Sequence, residues 1–598
     1  MIRACQGSGG RSPFRAAAGG PALLLFLLIC KSTVMAAPAA DVFPVERLQA
    51  GMRGTTRTVL QGTRIEELQT EILGVQKNAL GPGRDLIIGR LIDPHTEKTG
   101  AVHGMSGSPL YIEGKLAGAL SRRVANFEKD GHCGFTPASD MFDVERRRNS
   151  ETVVPWESGR WISRSDFQSM GFQPPSRSFG QLLGVPFPVP GWGAEAERIL
   201  GPLFASIPGF VPVDAPTGSA VTGKKLPLEG GSPLSVVLAD GDLSIAGTGT
   251  LTWTDGKRFM AFGHAMMGLG PTSLPVAPAE IITTIPSYYM PHKLANAGAV
   301  SGTMSQDRLS AISGTLGEPP AMVPYRIVRS HNGEPRPALT GRMASHALLT
   351  PMLVAVLMRN CLVDQQDISE DFTLRISGRV ALKGLESVPL DGLYSGTAAE
   401  RTVALFDQIF PLIQLSRAFP KRVEIEGLEL SIESYEKDST WEVMEVRPDR
   451  SRVRAGESIR LVTRLKNPSG RENLVEQTLQ IPEEVREGTV ELRVSGGADL
   501  RMESVQDRMP ARPENPANLI RAMDVSFASD RLYAQINLSQ PGASTAGYLQ
   551  SGLPGSIARQ QAAVSSTTRP FRRTVAQNIR PMKGVVSGSA QISIKVIP

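Results

Sequence analysis

The chain has 598 residues, more than one hydrophobic core usually serves, so we expect about two to four domains. Hydrophobic residues make up 41% and charged residues 20%, while 60 glycines, 45 prolines and few aromatic residues favour turns and short strands over long helices. The net charge of +6 includes four basic and no acidic side chains in residues 1–40, so the remainder is nearly neutral and nucleic-acid binding is not indicated.

Residues 1–36 are typical of an export signal. Basic residues up to Arg15 precede an apolar run over residues 21–30, and small residues around Ala36 suit cleavage. The apolar run is shorter than the ~20 residues of a membrane-spanning helix, so we expect cleavage and no stable membrane span, with an uncleaved anchor as the alternative. The mature protein is then extracytoplasmic, either periplasmic or secreted.

Residues 42–154 form the first predicted β-rich block. Alternating residues on either side of the turn Glu113-Gly114 predict a β-hairpin, and the segment GMSGSP lies on the loop that enters it. Residues 155–222 are rich in proline and glycine, which predicts a long connection with little regular structure.

Residues 223–390 form the second predicted β-rich block and its extension. A hairpin is predicted around the turn Asp255-Gly256, and its second strand ends just before His264. Strand-like segments continue to about residue 390.

The last third of the chain contains three predicted segments that differ in sequence pattern. Residues 391–439 are predicted as a helical and connecting segment, with an amphipathic helix over 397–410 that ends before Pro411. Even alternation over 440–540 predicts a separate domain resembling a β-sandwich. The Gln, Ser, Thr and Arg content of 541–598 predicts a mobile tail with a final strand. The predicted fold class is therefore mainly β.

Ser106 is the strongest candidate nucleophile. A serine hydroxyl needs a nearby base, and backbone amides must face the oxyanion that develops during acyl transfer. Gly104 and Gly107 permit tight turns on both sides of Ser106, and the amides of Gly104 and Ser106 are spaced as in the oxyanion hole of trypsin-like enzymes. A Gly/Ser-rich β-turn without catalytic role is the competing interpretation.

Two segments resemble the SpoIVB-type sporulation peptidases. The stretch DPHTEKTGAVHGMSGSP from Asp93 to Pro109, followed by GKLAGAL, resembles the family's Ser-bearing half, and GTLTWTDG followed by FGH at 262–264 resembles its His-bearing half. The resemblance covers roughly 85–145 and 230–270 and implies a trypsin-like double β-barrel with serine peptidase activity.

Carried over to this chain, the resemblance makes Ser106 the nucleophile, His264 the general base and Asp93 the group that orients the imidazole. The order is reversed, with the serine before the histidine, and the stretch from Asp93 to Ser106 is about two residues shorter than in the family. Triads are defined by spatial roles, so a swap of the two barrels would reunite these residues.

Several other residues compete for these roles. His103 and His95 lie close to Ser106 in sequence, and His132 and His292 are more distant candidate bases. Asp242 and Asp255 are alternative orienting carboxylates, although Asp255 is well explained by the hairpin turn.

Cofactor and metal sites are not indicated. Cys133 and Cys361 are the only cysteines outside the predicted signal, which allows one disulfide but does not supply a metal-binding set. No nucleotide-binding loop motif is present. The sequence therefore predicts an exported serine endopeptidase that acts on a protein substrate without a cofactor. The alternative is a cell-envelope scaffold protein that keeps the fold and has no catalytic turnover.

Overall fold

The computed structural model describes residues 41–598 except for 95, 97–98, 125–129, 147–180, 184, 190–191, 205–210, 214–225, 288–289, 363–370, 421, 502–514, 524–526, 546–547, 552 and 565–567. The predicted signal, residues 1–36, lies outside the described part of the chain. Among the described residues, no helix has the length and apolar character needed to cross a membrane.

Six antiparallel strands close into a first barrel. After a 3-10 turn at Val45–Arg47, the strands are β1 Arg53–Thr58, β2 Glu66–Gly81, β3 Arg84–Leu91, β4 Pro109–Ile112, β5 Lys115–Arg123 and β6 His132–Pro137. The strand order is β4-β1-β2-β3-β6-β5, and pairing of β4 with β5 closes the ring. Strands β4 and β5 are the hairpin predicted around Glu113-Gly114, and the positive φ of both turn residues matches a tight two-residue connection. Helix α1, Ala138–Arg146, follows β6.

The described parts of the predicted connection contain short regular elements. They are β7 Gln181–Leu182, β8 Pro186–Pro188, α2 Ala194–Phe204 and β9 Val211–Val213. Strand β7 pairs with β5 of the first barrel, and β8 pairs with β9. The connection is thus attached to the first barrel, which its proline-rich composition does not reveal.

A second ring of six strands forms the second barrel. The strands of this region are β10 Pro233–Gly241, β11 Ile245–Thr254, β12 Arg258–Ala261, β13 Gly270–Ile285, β14 His292–Ala297, β15 Gly302–Arg308 and β16 Ala311–Leu316. The ring runs β10-β11-β12-β16-β15-β13 and closes by pairing of β13 with β10, while β14 adds to the outer edge of β13. The two closed six-stranded barrels confirm the predicted double barrel.

The sheet of the second barrel continues beyond it. Its further elements are β17 Met322–His331, β18 Glu334–Ala344, α3 Leu349–Leu362, β19 Phe372–Leu382, β20 Val388–Pro389, β21 Gly392–Gly396, α4 Ala398–Ala418 and β22 Ile425–Tyr435. Helix α3 replaces the strand predicted there, because its side chains are buried nearly all round and show no helical period. Helix α4 continues through Pro411, where we expected it to end, and buries Leu412 and Leu415 in its last turns.

The C-terminal region is the predicted β-sandwich. Its elements are β23 Thr440–Pro448, β24 Arg452–Arg454, β25 Ser458–Lys466, β26 Glu472–Gln480, β27 Gly488–Gly496, α5 Pro516–Met523, β28 Arg531–Thr545, β29 Tyr548–Ser551, α6 Gly555–Val564, β30 Thr568–Pro581, β31 Val585–Ser587 and β32 Ser589–Ile597. A four-stranded and a six-stranded sheet share one apolar core, to which Leu461 and Leu532 contribute. Residues 541–598, predicted as a mobile tail with a final strand, instead contain helix α6 and strands β29 to β32, of which β32 includes the predicted final strand.

Candidate active site

Strand β11 of the second barrel holds the loop that carries Ser106 on the first barrel. The Thr250 amide donates to the Ser106 carbonyl at 2.8 Å, and the Thr250 hydroxyl donates to the Gly104 carbonyl at 2.9 Å. The Thr252 hydroxyl donates to the Gly107 carbonyl at 2.7 Å. Because these three carbonyls bond to one strand of the other barrel, the conformation of the serine loop depends on the interface between the barrels.

The serine side chain and two amides of the loop are left without partners. Ser106 is 0% exposed, and its Oγ has no hydrogen-bond partner among the described residues. Within the same part of the chain, the amides of Gly104 and Ser106 also donate no hydrogen bond. A buried, unpaired polar group typically costs about 1–3 kcal/mol, so three of them in one loop point to an acceptor or reactant that binds there. This is the arrangement that an oxyanion hole requires.

His264 lies just past strand β12, as its sequence context predicts. Phe262 and Gly263, which precede it, have φ values of +72° and +68°, so the chain turns sharply as it leaves the strand. The Nδ1 atom of His264 lies 2.6 Å from the carbonyl oxygen of Ala265, and its Nε2 atom lies 3.0 Å from that of Leu183. A neutral imidazole has one N–H, so it can donate to only one of these two carbonyls.

The imidazole is held in its neutral form. Burial lowers the pKa of His264 to about 4, and the nearby charges of Arg122 and His103 lower it further, against the two carbonyl contacts. A neutral imidazole is the form in which a histidine acts as a general base. With Nε2 directed at Leu183, however, His264 makes no hydrogen bond to Ser106 in this state.

The segments that carry Ser106 and His264 meet at one peptide group of β5. The amide of Gly107 donates to the Leu120 carbonyl at 2.7 Å, and a Cβ built on Gly263 would lie 3.1 Å from that same oxygen. The hydroxyl of Thr136 donates to the Gly263 carbonyl at 2.6 Å. The fold therefore brings Gly107, which follows the serine, and Gly263, which precedes the histidine, to the Leu120 carbonyl. In the sequence these two glycines are 156 positions apart.

Asp93 is not brought onto the imidazole. Its backbone carbonyl accepts hydrogen bonds from the amide and hydroxyl of Thr96 at 2.9 and 3.0 Å, which forms a local turn. Both nitrogens of His264 face backbone carbonyls, and Asp93 is not among the charges that shift the pKa of His264. In the described state, backbone groups rather than the Asp93 carboxylate orient the ring.

The alternative orienting carboxylates, Asp242 and Asp255, accept hydrogen bonds from other residues. Asp242 accepts from the amide and hydroxyl of Thr340 at 2.6 and 3.1 Å. Asp255 accepts from the amide and guanidinium of Arg258, at 2.6 and 2.8 Å, in the hairpin turn that its sequence context predicts. Neither carboxylate contacts His264.

The other candidate bases lie on both barrels. His103 is buried, and its backbone bridges to β14, where its amide donates to Pro291 and its carbonyl accepts from Lys293. His292 opens β14 and its Nδ1 lies 3.0 Å from the Met290 carbonyl. His132 begins β6, and His95 is outside the described residues.

The family comparison covers the serine-bearing part of this site. Residues 33–138 match the SpoIVB peptidase S55 family. The matched segment includes Asp93, Gly104 and Ser106 and all six strands of the first barrel, but it ends before His264. The predicted resemblance is therefore confirmed for the Ser-bearing segment. We find no match to the chain among curated proteins or among solved structures.

A buried lysine, Lys293, lies beside the serine loop, and no sequence motif pointed to it. The stem of Lys293 passes Gly104 so closely that a Cβ there would lie 3.1 Å from the lysine Cβ. Its Nζ donates to the Thr58 hydroxyl at 2.8 Å, and Thr58 also accepts from Ser108 at 3.0 Å. Burial lowers the pKa of Lys293 to about 7. Only the pairing of β14 with the second barrel makes this residue part of the site.

The two cysteines of the described chain do not form a disulfide. Cys133 is buried in the core of the first barrel, and Cys361 is buried on helix α3 beside the second barrel. No group of three His, Cys, Asp or Glu side chains suited to a metal ion occurs among the described residues.

Asp307 holds the loop that follows His264. It is buried on β15, and its carboxylate accepts from the amides of Met266, Met267 and Leu269 at 2.7, 2.9 and 3.2 Å. Burial raises the pKa of Asp307, while the amides act in the opposite direction. The carboxylate thereby ties the turn after the imidazole to the barrel.

We expect Asp307→Asn to lower the unfolding free energy by about 2 kcal/mol, because one carboxylate oxygen becomes an amide donor that faces N–H groups. The change should also slow the reaction of Ser106 with an active-site probe, since the loop after His264 loses its anchor. Urea unfolding and probe labelling measure the two effects. Asp242→Asn, at an exposed aspartate of the same barrel, is the matched control and should change neither. An Asp307→Asn protein with wild-type stability would show that the loop does not depend on this carboxylate.

Proposed function

We propose that the protein is an exported serine endopeptidase in which Ser106 is acylated by a protein substrate. The observation that carries this proposal is the buried, unpartnered Ser106 Oγ beside the two unbonded amides of Gly104 and Ser106. This arrangement lies within the segment that matches a peptidase family. The family supports a protein substrate, and the predicted signal supports an extracytoplasmic location.

The proposed chemistry follows from these groups. The Ser106 Oγ attacks the carbonyl carbon of the scissile peptide, and the amides of Gly104 and Ser106 stabilise the oxyanion. His264 takes the serine proton and transfers it to the leaving amine. For this step the Nε2 of His264 must exchange its contact with Leu183 for one with Ser106. Asp93 remains the proposed orienting group only for a state in which Nδ1 leaves the Ala265 carbonyl.

A fluorophosphonate probe tests this proposal without knowledge of the substrate. We expect covalent labelling of the full-length protein at one site, because phosphonylation requires an activated serine with an oxyanion hole. Ser106→Ala should abolish labelling, and His264→Ala should slow it by about 10²-fold or more, the usual contribution of a general base. Intact-mass measurement and peptide mapping identify the site.

Two exposed or distant residues provide controls. Ser305→Ala replaces a surface serine of β15, and His331→Ala replaces a histidine that contacts Ser434 beyond the second barrel. Both variants should be labelled like the wild type. Labelling that persists in Ser106→Ala would reject the proposal.

A non-catalytic cell-envelope scaffold is the second candidate function. It is favoured by one observation, the contact of the His264 Nε2 with the Leu183 carbonyl, which withholds the base from the serine. A scaffold should resist the probe even when the segment around Leu183 is released. The same labelling experiment, applied to variants of that segment, therefore separates the two candidates.

A further inference from the structure

A short strand from the connection is added to the edge of the first barrel beside the catalytic groups. Strand β7 pairs antiparallel with β5, with Leu182 opposite Arg122 and Gln181 opposite Arg123. The next residue continues the strand, since the Leu183 amide donates to the Ser121 carbonyl at 3.1 Å. Residues 181–183 thus form an extended segment that ends at the proposed active site.

The amide, side chain and carbonyl of Leu183 are all held by the folded protein, and the carbonyl contacts the proposed base. Its side chain is 0% exposed and belongs to the apolar cluster that includes Val102, Met105 and Leu120, from the serine loop and β5. Its carbonyl oxygen lies 3.0 Å from the Nε2 of His264. The amide is therefore on the sheet edge, the side chain in the apolar core that also contains Met105 of the serine loop, and the carbonyl at the base.

These three contacts are those that a peptidase makes with its substrate. An extended peptide gains affinity from main-chain hydrogen bonds to a sheet edge, and pockets for its side chains give specificity. In serine peptidases the pocket for the residue on the acyl side of the scissile bond sets the main preference. Residues 181–183 make both kinds of contact within the same chain: main-chain hydrogen bonds to the edge strand β5 and burial of the Leu183 side chain.

We propose that residues 181–183 occupy the substrate-strand position as an internal inhibitor, and that the pocket around Leu183 selects a leucine-sized aliphatic residue before the scissile bond. This inference rests on the proposed peptidase function and names its substrate class and regulation. The Leu183 carbonyl faces His264 and not the amides of Gly104 and Ser106, so the segment blocks the base without being poised for attack.

A substrate that displaces residues 181–183 can then be cleaved. Its main chain replaces the contact with Ser121, its aliphatic side chain enters the vacated pocket, and its carbonyl turns to the two amides. Ser106 Oγ then forms an ester with the carbonyl carbon as the C–N bond breaks, and the serine proton passes through His264 to the leaving amine. A water molecule hydrolyses the ester and restores the serine.

Competition between peptide aldehydes and the fluorophosphonate probe tests the pocket. We use the full-length protein with acetyl-Gln-Leu-Leu-aldehyde, which copies residues 181–183, and with acetyl-Gln-Leu-Asp-aldehyde as the matched control. The leucine aldehyde should protect Ser106 at about 10²-fold lower concentration, because an apolar pocket leaves a carboxylate without partners. Equal protection by both aldehydes would overturn the assignment of the pocket.

Variants of Leu183 test the inhibition. Leu183→Pro removes the amide that donates to Ser121, and Leu183→Ala removes the side chain but keeps the amide. Each should speed labelling by about tenfold, since a larger fraction of molecules has a free site. Leu309→Ala, at an exposed leucine between β15 and β16, is the control and should be labelled at the wild-type rate.

The outcomes separate this inference from the proposed function. If wild type and all Leu183 variants resist the probe, the peptidase function itself fails. If wild type is labelled and neither Leu183→Pro nor Leu183→Ala is labelled faster, the peptidase stands and the inhibitory segment is rejected. Circular dichroism and thermal unfolding establish that each variant is folded, and Leu183→Ala decides the question if Leu183→Pro does not fold.

Discussion

Replacement of Gly107 by alanine should slow labelling of Ser106 by about 10²-fold and lower the unfolding free energy by on the order of 3–4 kcal/mol. Gly107 has a φ of +92°, and a Cβ on it would collide with the Thr250 carbonyl oxygen and the Phe262 amide nitrogen. Both obstacles are backbone atoms of the second barrel, so they cannot move aside as a side chain would. The serine loop must shift, and a displacement of about 1 Å at a reacting group costs about 10²-fold in rate.

Gly114 provides the matched control for Gly107→Ala. It also has a positive φ, +75°, but a Cβ there meets no atom within 4 Å. Gly114→Ala should therefore cost only about 1 kcal/mol, from the backbone conformation alone, and should leave labelling unchanged. Urea unfolding of both variants and probe labelling measure the difference. Equal destabilisation of the two would show that contact between the barrels does not constrain the serine loop.

Replacement of Lys293 by methionine should stabilise the protein at pH 7 by on the order of 2–4 kcal/mol. The ammonium is buried and donates to the hydroxyl of Thr58, and Glu66 is the one charge that opposes the effect of burial on its pKa. A methionine fills similar space without a charge to desolvate. In the unfolded wild type the Lys293 amine is protonated, whereas burial in the native state disfavours its protonation. This difference destabilises the wild type, and the methionine variant does not have it.

The effect of Lys293→Met should depend on pH in a defined direction. Burial lowers the pKa of Lys293 from 10.5 to about 7, so the cost of burying the lysine grows as the pH falls from about 10.5 to about 7 and is constant below that. The advantage of the variant should therefore be small at pH 10.5 and reach its full size near pH 7. Urea unfolding at several pH values measures it. Lys383→Met, at an exposed lysine, is the control and should show no such trend. A variant less stable than wild type at pH 7 would mean that the buried amine is stabilised by its surroundings.

Local patterns predicted the parts of the site that are built locally. The glycines around Ser106 predicted the tight turns that the serine loop makes, and the hairpin turn at Asp255-Gly256 put His264 just past a strand. Strand alternation also predicted the β-rich blocks and the sandwich, because each strand has a period of two, whereas the double barrel was implied by the family resemblance.

The contacts that decide the state of the site are long-range and had no local signal. The contact of Leu183 with His264 joins residues 81 positions apart, and it comes from a connection whose proline content predicted little structure. Lys293 becomes buried only when β14 pairs with β13 and meets His103. Helix α3 is buried on nearly every face, so its residues show no period that distinguishes a helix from a strand.

The bonding of the serine loop to β11 has a consequence for synthesis of the protein. The first barrel, with Ser106, leaves the ribosome well before β11, which begins at Ile245 and supplies Thr250 and Thr252. Domains generally fold as units from the N-terminal end during synthesis. The nascent chain therefore exposes its nucleophile before the groups that fix the loop exist, while Leu183 is already available to cover the pocket. If the barrels fold in this order, the protein can hydrolyse a substrate only after both barrels are complete.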